Sequence, residues 1–344
     1  MFKIVNKNVN GRRELKTVDI VKRLITITAN EVELRNHPIN KPTTIFNPSL
    51  TVDPKKDEVR IYARIVLGYF TYASAVAEFS LPLSDLYSCD SRSYIAEITV
   101  YPDTRYDYWG VEDPRVYEID NKLLMTYCGR TVNYFNPTIR MERTLPVTAV
   151  FKNGKWRKIC VFRTPPELRS FVISDKDAFI VKMKELMLFH RLHLMDERFY
   201  LTISKIPESI DSRKLKEISV SNPIIALEPA KFELKTGWST PPIKIGKEFL
   251  MLIHSVDKET QCYRVFAILI NEECRITAIT PYYIMEPKES YEIYGDRPYT
   301  VFPCGSQLVD DKILLSYGAA DSVVGIGEIE VSELMNILDK NRIE

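Results

Sequence analysis

Asn47-Pro48-Ser49-Leu50, Asp113-Pro114-Arg115-Val116, Asp177-Ala178-Phe179-Ile180, Pro241-Pro242-Ile243-Lys244 and Phe302-Pro303-Cys304-Gly305 read as five versions of one opening. Aligned on residues 48, 114, 178, 242 and 303, they lie 66, 64, 64 and 61 residues apart. A second apolar run follows each opening, at 59–65, 122–128, 185–189, 248–253 and 312–316. Most of these runs end at or near polar groups: Arg64, Arg130, His190-Arg191, His254 and Asp321. A long fixed period of strand-like units marks a propeller or a solenoid. A four-stranded blade cannot bury its faces alone, and a ring of blades buries them and protects their edges. The period therefore predicts an all-β, five-bladed β-propeller with inner strands starting near the five aligned residues. Such a ring makes neighbours of residues scattered from 47 to 321.

The 344 residues are read as a single propeller domain, 1–344, since removing one blade would open the ring. Residues 1–40 precede the first blade and are expected to pack on the ring or supply a closing strand. Residues 331–344 are expected to hold a short C-terminal helix, with Ser332 as its N-cap. The polar stretch 131–143, with Tyr134, Asn136, Arg140 and Arg143, reads as a loop over the mouth of a site. Residues 206–218 read as a second charged connection.

The formal charge is +1 and 27% of residues are charged, with no long basic run, so nothing favours a nucleic-acid partner. No apolar run approaches a membrane span, and residues 1–6 carry no signal-peptide core. The expected setting is cytoplasmic. Cysteines 89, 128, 160, 262, 274 and 304 are dispersed without a CxxC pair. They are expected to be buried free thiols, with no metal site.

The chemistry-bearing residues fall into three groups. Glu112-Asp113-Pro114-Arg115 places two carboxylates beside an arginine, and one of them can protonate a leaving oxygen. Side chains alternate along a strand, so only one of Glu112 and Asp113 is expected to face the axis. The plain alternative is a salt-bridged turn. Arg64, Lys176, His190, Arg191, His254 and Tyr263 form the second group. Cations gathered on one axis repel unless an anion lies between them, and Arg and Lys suit phosphate. The third group is Tyr317-Gly318-Ala319-Ala320-Asp321, where small residues allow close approach and the carboxylate accepts sugar hydroxyls.

With these motifs in hand, the chain resembles the β-mannoside phosphorylases and related mannosidases of glycoside hydrolase family 130, which are five-bladed propellers. The resemblance runs from about Asn47 to Asp321. It rests on Gly110-Val111-Glu112-Asp113-Pro114-Arg115, Lys176-Asp177-Ala178, Pro241-Pro242-Ile243, Tyr291-Glu292, Val301-Phe302-Pro303-Cys304-Gly305 and Gly318-Ala319-Ala320-Asp321. It implies Asp113 as general acid, giving its proton through a sugar hydroxyl. It implies Asn47, Arg64 and Asp321 as holders of the mannosyl unit, with Glu112 and Arg115 beside them. It implies Lys176, Arg191, His254 and Tyr263 as the phosphate group. Departures from the family pattern include Leu192, Ser255, Ser239-Thr240 and the register of Tyr62-Ala63-Arg64.

The expected reaction is cleavage of a β-mannoside oligosaccharide by inorganic phosphate as co-substrate, without a cofactor, giving α-mannose 1-phosphate with inversion. A phosphorylase needs one acid, because phosphate is already a nucleophile, whereas an inverting hydrolase needs a second carboxylate as base. The rivals are a hydrolase using Glu112 or Glu292 as base, and a non-catalytic propeller that binds glycans or a protein. A homo-oligomer is left open, with Tyr134-Phe135 suited to a neighbouring subunit.

Overall fold

Each apolar run after an opening folds back on it as an antiparallel hairpin, and two further strands complete a blade. The structure is a computed structural model and describes residues 2–68, 70, 72–88 and 92–343. Blade one is Thr44–Asp53, Glu58–Val66, Ser74–Pro82 and Tyr94–Val100. Blade two is Val111–Ile119, Lys122–Arg130, Thr144–Lys152 and Lys155–Arg163. Blade three is Val172–Lys182, Leu186–Leu194, Phe199–Lys205 and Ser221–Leu227. In blade four, Glu233–Trp238 and Ile243–Ile245 share one partner, Glu248–Asp257, followed by Tyr263–Ile270 and Ile276–Ile279. Blade five is Val301–Val309, Lys312–Ala319 and Val323–Glu330, and its outermost strand is Lys22–Ile27. A strand from before blade one thus completes blade five, which closes the ring through backbone hydrogen bonds.

The rest of the first forty residues also pairs with the ring. Lys3–Ile4 adds a parallel strand to blade three and Val32–Leu34 one to blade one. The charged connection ends in Lys216–Ser219, a parallel fifth strand on blade two. The terminal helix is Val331–Asp339, anchored by buried Leu334 and Leu338. Its N-cap is Glu330, two residues ahead of expectation, and Ser332 lies inside the helix.

Apolar side chains fill five seams between successive blades. Tyr62 and Val76 meet Met125 and Val147 between blades one and two. Leu124 and Phe162 meet Ile180 and Leu188 in the next seam, and Phe179 and Phe189 meet Trp238 and Phe266 in the third. Leu252 and Val265 meet Leu315 and Tyr317 between blades four and five, and Ile61 and Phe79 meet Leu314 and Val324 where the ring closes. These seams exclude water and hold the inner strands at fixed spacing about the axis. Five cysteines, 128, 160, 262, 274 and 304, are buried free thiols, while Cys89 lies outside the described residues. Among the described residues no helix is long and apolar enough to cross a membrane.

The aligned residues are not strand starts. Four of the five sit inside the inner strands, where the register shifts between Phe46 and Ser49, Glu112 and Arg115, Lys176 and Phe179, and Pro303 and Gly305. These are β-bulges, which bend a strand and re-aim its side chains. In blades one to three the bulge carries Asn47, Asp113 and Asp177 at φ 46°, 51° and 52°. Asn and Asp tolerate this left-handed conformation better than other residues with a Cβ. Pro48 and Pro114 follow and have no N–H to leave unpaired. In blade four, Pro241-Pro242 falls in the gap between the two halves of the inner strand.

Candidate active site

Polar side chains from every blade line one cavity of about 410 Å³, and in blades one to three the inner-strand bulges supply part of them. Blade one supplies Asn47 and Arg64, blade two Glu112, Asp113 and Arg130, and blade three Lys176, Asp177 and Arg191. Lys235 and Tyr263 come from blade four, and Arg297 and Asp321 from blade five. Glu112 and Asp113 both face this space. Alternation predicted only one, but alternation holds for an unbroken pleat, and the bulge at Asp113 breaks it.

Asp113 is buried and takes two hydrogen bonds on one oxygen: Asn47 Nδ2 donates to Oδ1 at 2.8 Å and Arg64 Nη1 at 3.0 Å. Among the described residues no protein donor reaches Oδ2. Asn47 can sit there because residue 318 is glycine; a Cβ at Gly318 would overlap Asn47 Oδ1. Arg64 also donates from Nη2 to Glu112 Oε1 at 3.0 Å.

Glu112 lines the cavity with both oxygens occupied. Arg130 donates from Nε at 2.7 Å and Nη2 at 3.1 Å, and Lys176 Nζ lies 3.1 Å from Oε2. Burial pushes its pKa up, but Arg130, Arg64 and Lys176 together hold it well below the usual carboxylate range. A carboxylate so held is a poor base, and it has little capacity left for sugar hydroxyls.

Asp177 lies in the motif Lys176-Asp177-Ala178 and has no role among those expected from the sequence. Its Oδ2 lies 2.7 Å from Arg191 Nε and 3.4 Å from His254 Nε2, and its Oδ1 lies 3.5 Å from Arg115 Nη2. Burial opposes its charge, and Arg191 and His254 more than offset that, so its pKa is strongly depressed. A Cβ at Gly237 would overlap both His254 and Asp177, so the glycine makes room for this contact.

Two assigned residues do not reach the cavity. Arg115 lies behind its wall. It donates to the carbonyls of Ser239 (2.9 Å), Asp113 (2.9 Å) and Trp238 (3.1 Å), tying the bulge of blade two to the gap in blade four. Its place is that of a scaffold, not of a sugar ligand. His254 is fully buried beneath the floor, with Nδ1 3.1 Å from Ser239 Oγ. Burial lowers its pKa to about 4 against the pull of Asp177, so it is neutral at physiological pH and adds no charge to a phosphate group. His190 is likewise buried, held by Asp175 at 2.9 Å and Ser204 at 2.9 Å. Glu292, the other candidate base, is fully buried away from the cavity lining, bound by Arg23 Nε at 3.0 Å and the Tyr317 hydroxyl at 2.8 Å.

Two cations missed in the sequence stand in the cavity. Lys235 and Arg297 have no carboxylate within ion-pair distance among the described residues; each lies over an aromatic ring. Lys235 Nζ is 4.9 Å from the Phe199 centroid, and the Arg297 guanidinium is 4.5 Å from that of Tyr263. Burial, then Arg191 and Arg297, push the Lys235 pKa well down. Beside them Arg191 Nη1 is buried with no protein acceptor among the described residues. An anion would satisfy all three groups.

The chain is similar to known proteins in sequence and in fold. A family model described as beta-1,4-mannooligosaccharide phosphorylase matches residues 11–340. The chain belongs to glycoside hydrolase family 130. A beta-1,2-mannobiose phosphorylase of Thermoanaerobacter sp. strain X514 is 29% identical over 64% of this chain and 67% of its own. A 1,2-beta-oligomannan phosphorylase of the same strain is 26% identical over 67% of this chain and 72% of its own. The structure of Beta-1,2-Mannobiose phosphorylase from Listeria innocua, in complex with beta-1,2-mannobiose, superposes with TM-score 0.65 at 18% identity. It covers 93% of this chain and 99% of that one, and it shares the fold.

Proposed function

We propose that the protein is an inverting glycoside phosphorylase that cleaves β-mannosides with inorganic phosphate to give α-mannose 1-phosphate. The observation that carries this reading is the pair of cavity cations without carboxylate partners, Lys235 and Arg297, beside the orphaned Arg191 Nη1. Like charges so gathered need an anion between them. With Lys176 and the Tyr263 hydroxyl they form a cradle suited to phosphate, which takes the place assigned in the sequence to a set including His254.

The mannosyl unit is assigned to Asn47, Arg64 and Asp321, between Asp113 and the cradle. A phosphate oxygen attacks C1 as the C1–O bond to the leaving sugar breaks. The leaving oxygen takes a proton that originates on Asp113, relayed through a sugar hydroxyl. The proton carried by hydrogen phosphate then restores the acid, so no second carboxylate is required. A hydrolase would need one as base, and Glu112 is held by three cations while Glu292 lies outside the cavity.

The test is to incubate the enzyme with β-1,2- and β-1,4-linked mannobiose, with and without phosphate, and to separate the products. Mannose 1-phosphate formed only with phosphate is expected. Free mannose at a rate indifferent to phosphate would replace this reading with the hydrolase. No turnover of any β-mannoside would favour a binding propeller.

A further inference from the structure

Tyr72, Tyr134 and Phe135 stand along one edge of the cavity, and Phe70 packs against Phe135 at a centroid distance of 6.3 Å. Tyr134 lies 5.3 Å from Phe135 and 6.5 Å from Tyr72, so rings from two loops form one wall. The wall is left open to solvent: Tyr134 is 55% exposed, Phe135 61% and Phe70 84%. These rings add little to the buried core, yet the loop that carries two of them is strongly organised. Arg143 donates to four backbone carbonyls within it: Tyr134 at 3.0 Å, Ile139 at 2.6 Å, Asn133 at 3.3 Å, and Asn136. The backbone N–H groups of Glu142 and Arg143 bind the carbonyls of Val172 and Ile173 at 2.8 Å, docking the loop on blade three.

A fixed, exposed aromatic surface beside a polar cavity suits a pyranose, which presents one face of C–H bonds to a ring while its hydroxyls stay in water. The position of the wall says which sugar. It rises from blades one and two, which carry Asp113, and the Arg130 guanidinium under Tyr134 is the one that grips Glu112. Lys235 and Arg297, without a carboxylate partner among the described residues, come from blades four and five. Nucleophile and leaving group take opposite faces in an inverting displacement, so the wall borders the leaving sugar. A cavity of about 410 Å³ is at the small end for ligand sites, ~300–1,000 Å³. Sugars beyond the first acceptor unit must lie outside it, against the rim.

Resting on the phosphorylase reading above, we infer that this wall is a subsite for the second acceptor sugar, and that the preferred substrates are β-mannooligosaccharides longer than the disaccharide. Arg143 is its positioning residue, acting through the loop carbonyls.

The test compares kcat/KM on β-linked mannobiose and mannotriose of each linkage, at saturating phosphate. Wild type should favour the trisaccharide of the accepted linkage. Phe135→Ala should cut that preference by about tenfold, on the scale of one lost stacking contact. Phe135→Tyr should keep it, and Arg143→Ala should reproduce the loss with every ring still present. Equal kcat/KM for both lengths in wild type would overturn the inference, as would an equal fall on both lengths in Phe135→Ala. A concentration-dependent dimer that Phe135→Ala dissolves, with the preference unchanged, would assign the wall to a second copy instead. Failure of the phosphorylase reading shows separately, as free mannose in place of mannose 1-phosphate, and the length preference can still be read from free mannose.

Discussion

Asp113 and Asp177 hold the same position in neighbouring blades. Both sit on an inner-strand bulge in the left-handed conformation, and both are buried. Their surroundings differ. Asp113 has one oxygen bound, by Asn47 and Arg64, and the other free of protein donors among the described residues. Asp177 has Arg191 and His254 within ion-pair distance of one oxygen and Arg115 near the other. The repeated backbone thus delivers a carboxylate to the axis twice, and the flanking side chains decide what each can do. Asp113 keeps one oxygen without a protein donor among the described residues, and Asp177 is held as an anion beside an arginine.

Substituting each aspartate in turn is the sharpest way to break this comparison. Asp113→Asn should lower turnover by about 10²–10⁴-fold, the range for loss of a general acid, with little change in folding. Near-full phosphorolysis by this variant would make Asp113 structural. Asp177→Ala should show the reverse emphasis. Removing one partner of a buried charge set costs about 3–5 kcal/mol of stability, because Arg191 and Arg115 are left uncompensated. Its urea midpoint should fall clearly. Since the Asp177 pKa is depressed in the folded state, its contribution is complete above the ordinary carboxylate range and is lost as pH falls through and below it. An unchanged midpoint at neutral pH would sink the assignment.

How much of this was legible follows from the same bulges. The period and the hairpins were readable because each blade repeats an opening and an apolar run, and burying them needs a ring. Arg64, Asp113, Lys176, Arg191 and Asp321 were readable because they lie at or near the repeated openings and runs, while the roles of Asn47 and Tyr263 came with the family resemblance. That Glu112 and Asp113 both face inward was not, since period-two alternation carries no signal of an inserted residue. Arg115 and His254 looked like ligands because charge and position say nothing about depth; the carbonyls of Trp238 and Ser239 that hold Arg115 come from another blade. Lys235 was hidden by the break in blade four, where Pro241-Pro242 marks a gap and shifts the alignment away from the strand half that reaches the cavity. Arg297 precedes its blade altogether. A search for basic residues just before each opening would have found both.

The cation side of the cavity gives a smaller effect. Arg191→Ala should raise the KM for phosphate by an amount equal to ~1.5–3 kcal/mol, a lost charge-assisted hydrogen bond, with less change in KM for the mannoside. Lys235→Met should move the phosphate KM in the same direction, yet leave the free enzyme at least as stable, because burial and its cationic neighbours already disfavour its ammonium. Opposite signs on stability and on phosphate binding are what separate an anion cradle from a structural ion network. A Lys235→Met enzyme with unchanged phosphate KM would remove Lys235 from the cradle.

The mildest test concerns Asp321, the carboxylate of the proposed mannosyl pocket. Burial raises its pKa to about 6; Arg64 pulls it down and Asp113 adds to the rise. Sugar hydroxyls donate to the ionised carboxylate, so binding should favour that form and lower the pKa in the complex. Mannoside affinity without phosphate should therefore be nearly constant above pH 7 and weaken as pH falls through about 6, up to tenfold per unit below it. Omitting phosphate matters, because phosphate titrates in the same region. Asp321→Asn should bind more weakly throughout and lose the inflection. Calorimetry on Asp113→Asn with bound mannobiose gives the profile without turnover. That substitution also removes the neighbouring carboxylate charge, so the inflection should shift slightly downward and still depend on Asp321. A profile flat from pH 5 to 8 would mean that Asp321 makes no hydrogen bond to the sugar, and would leave Asn47 and Arg64 to hold it.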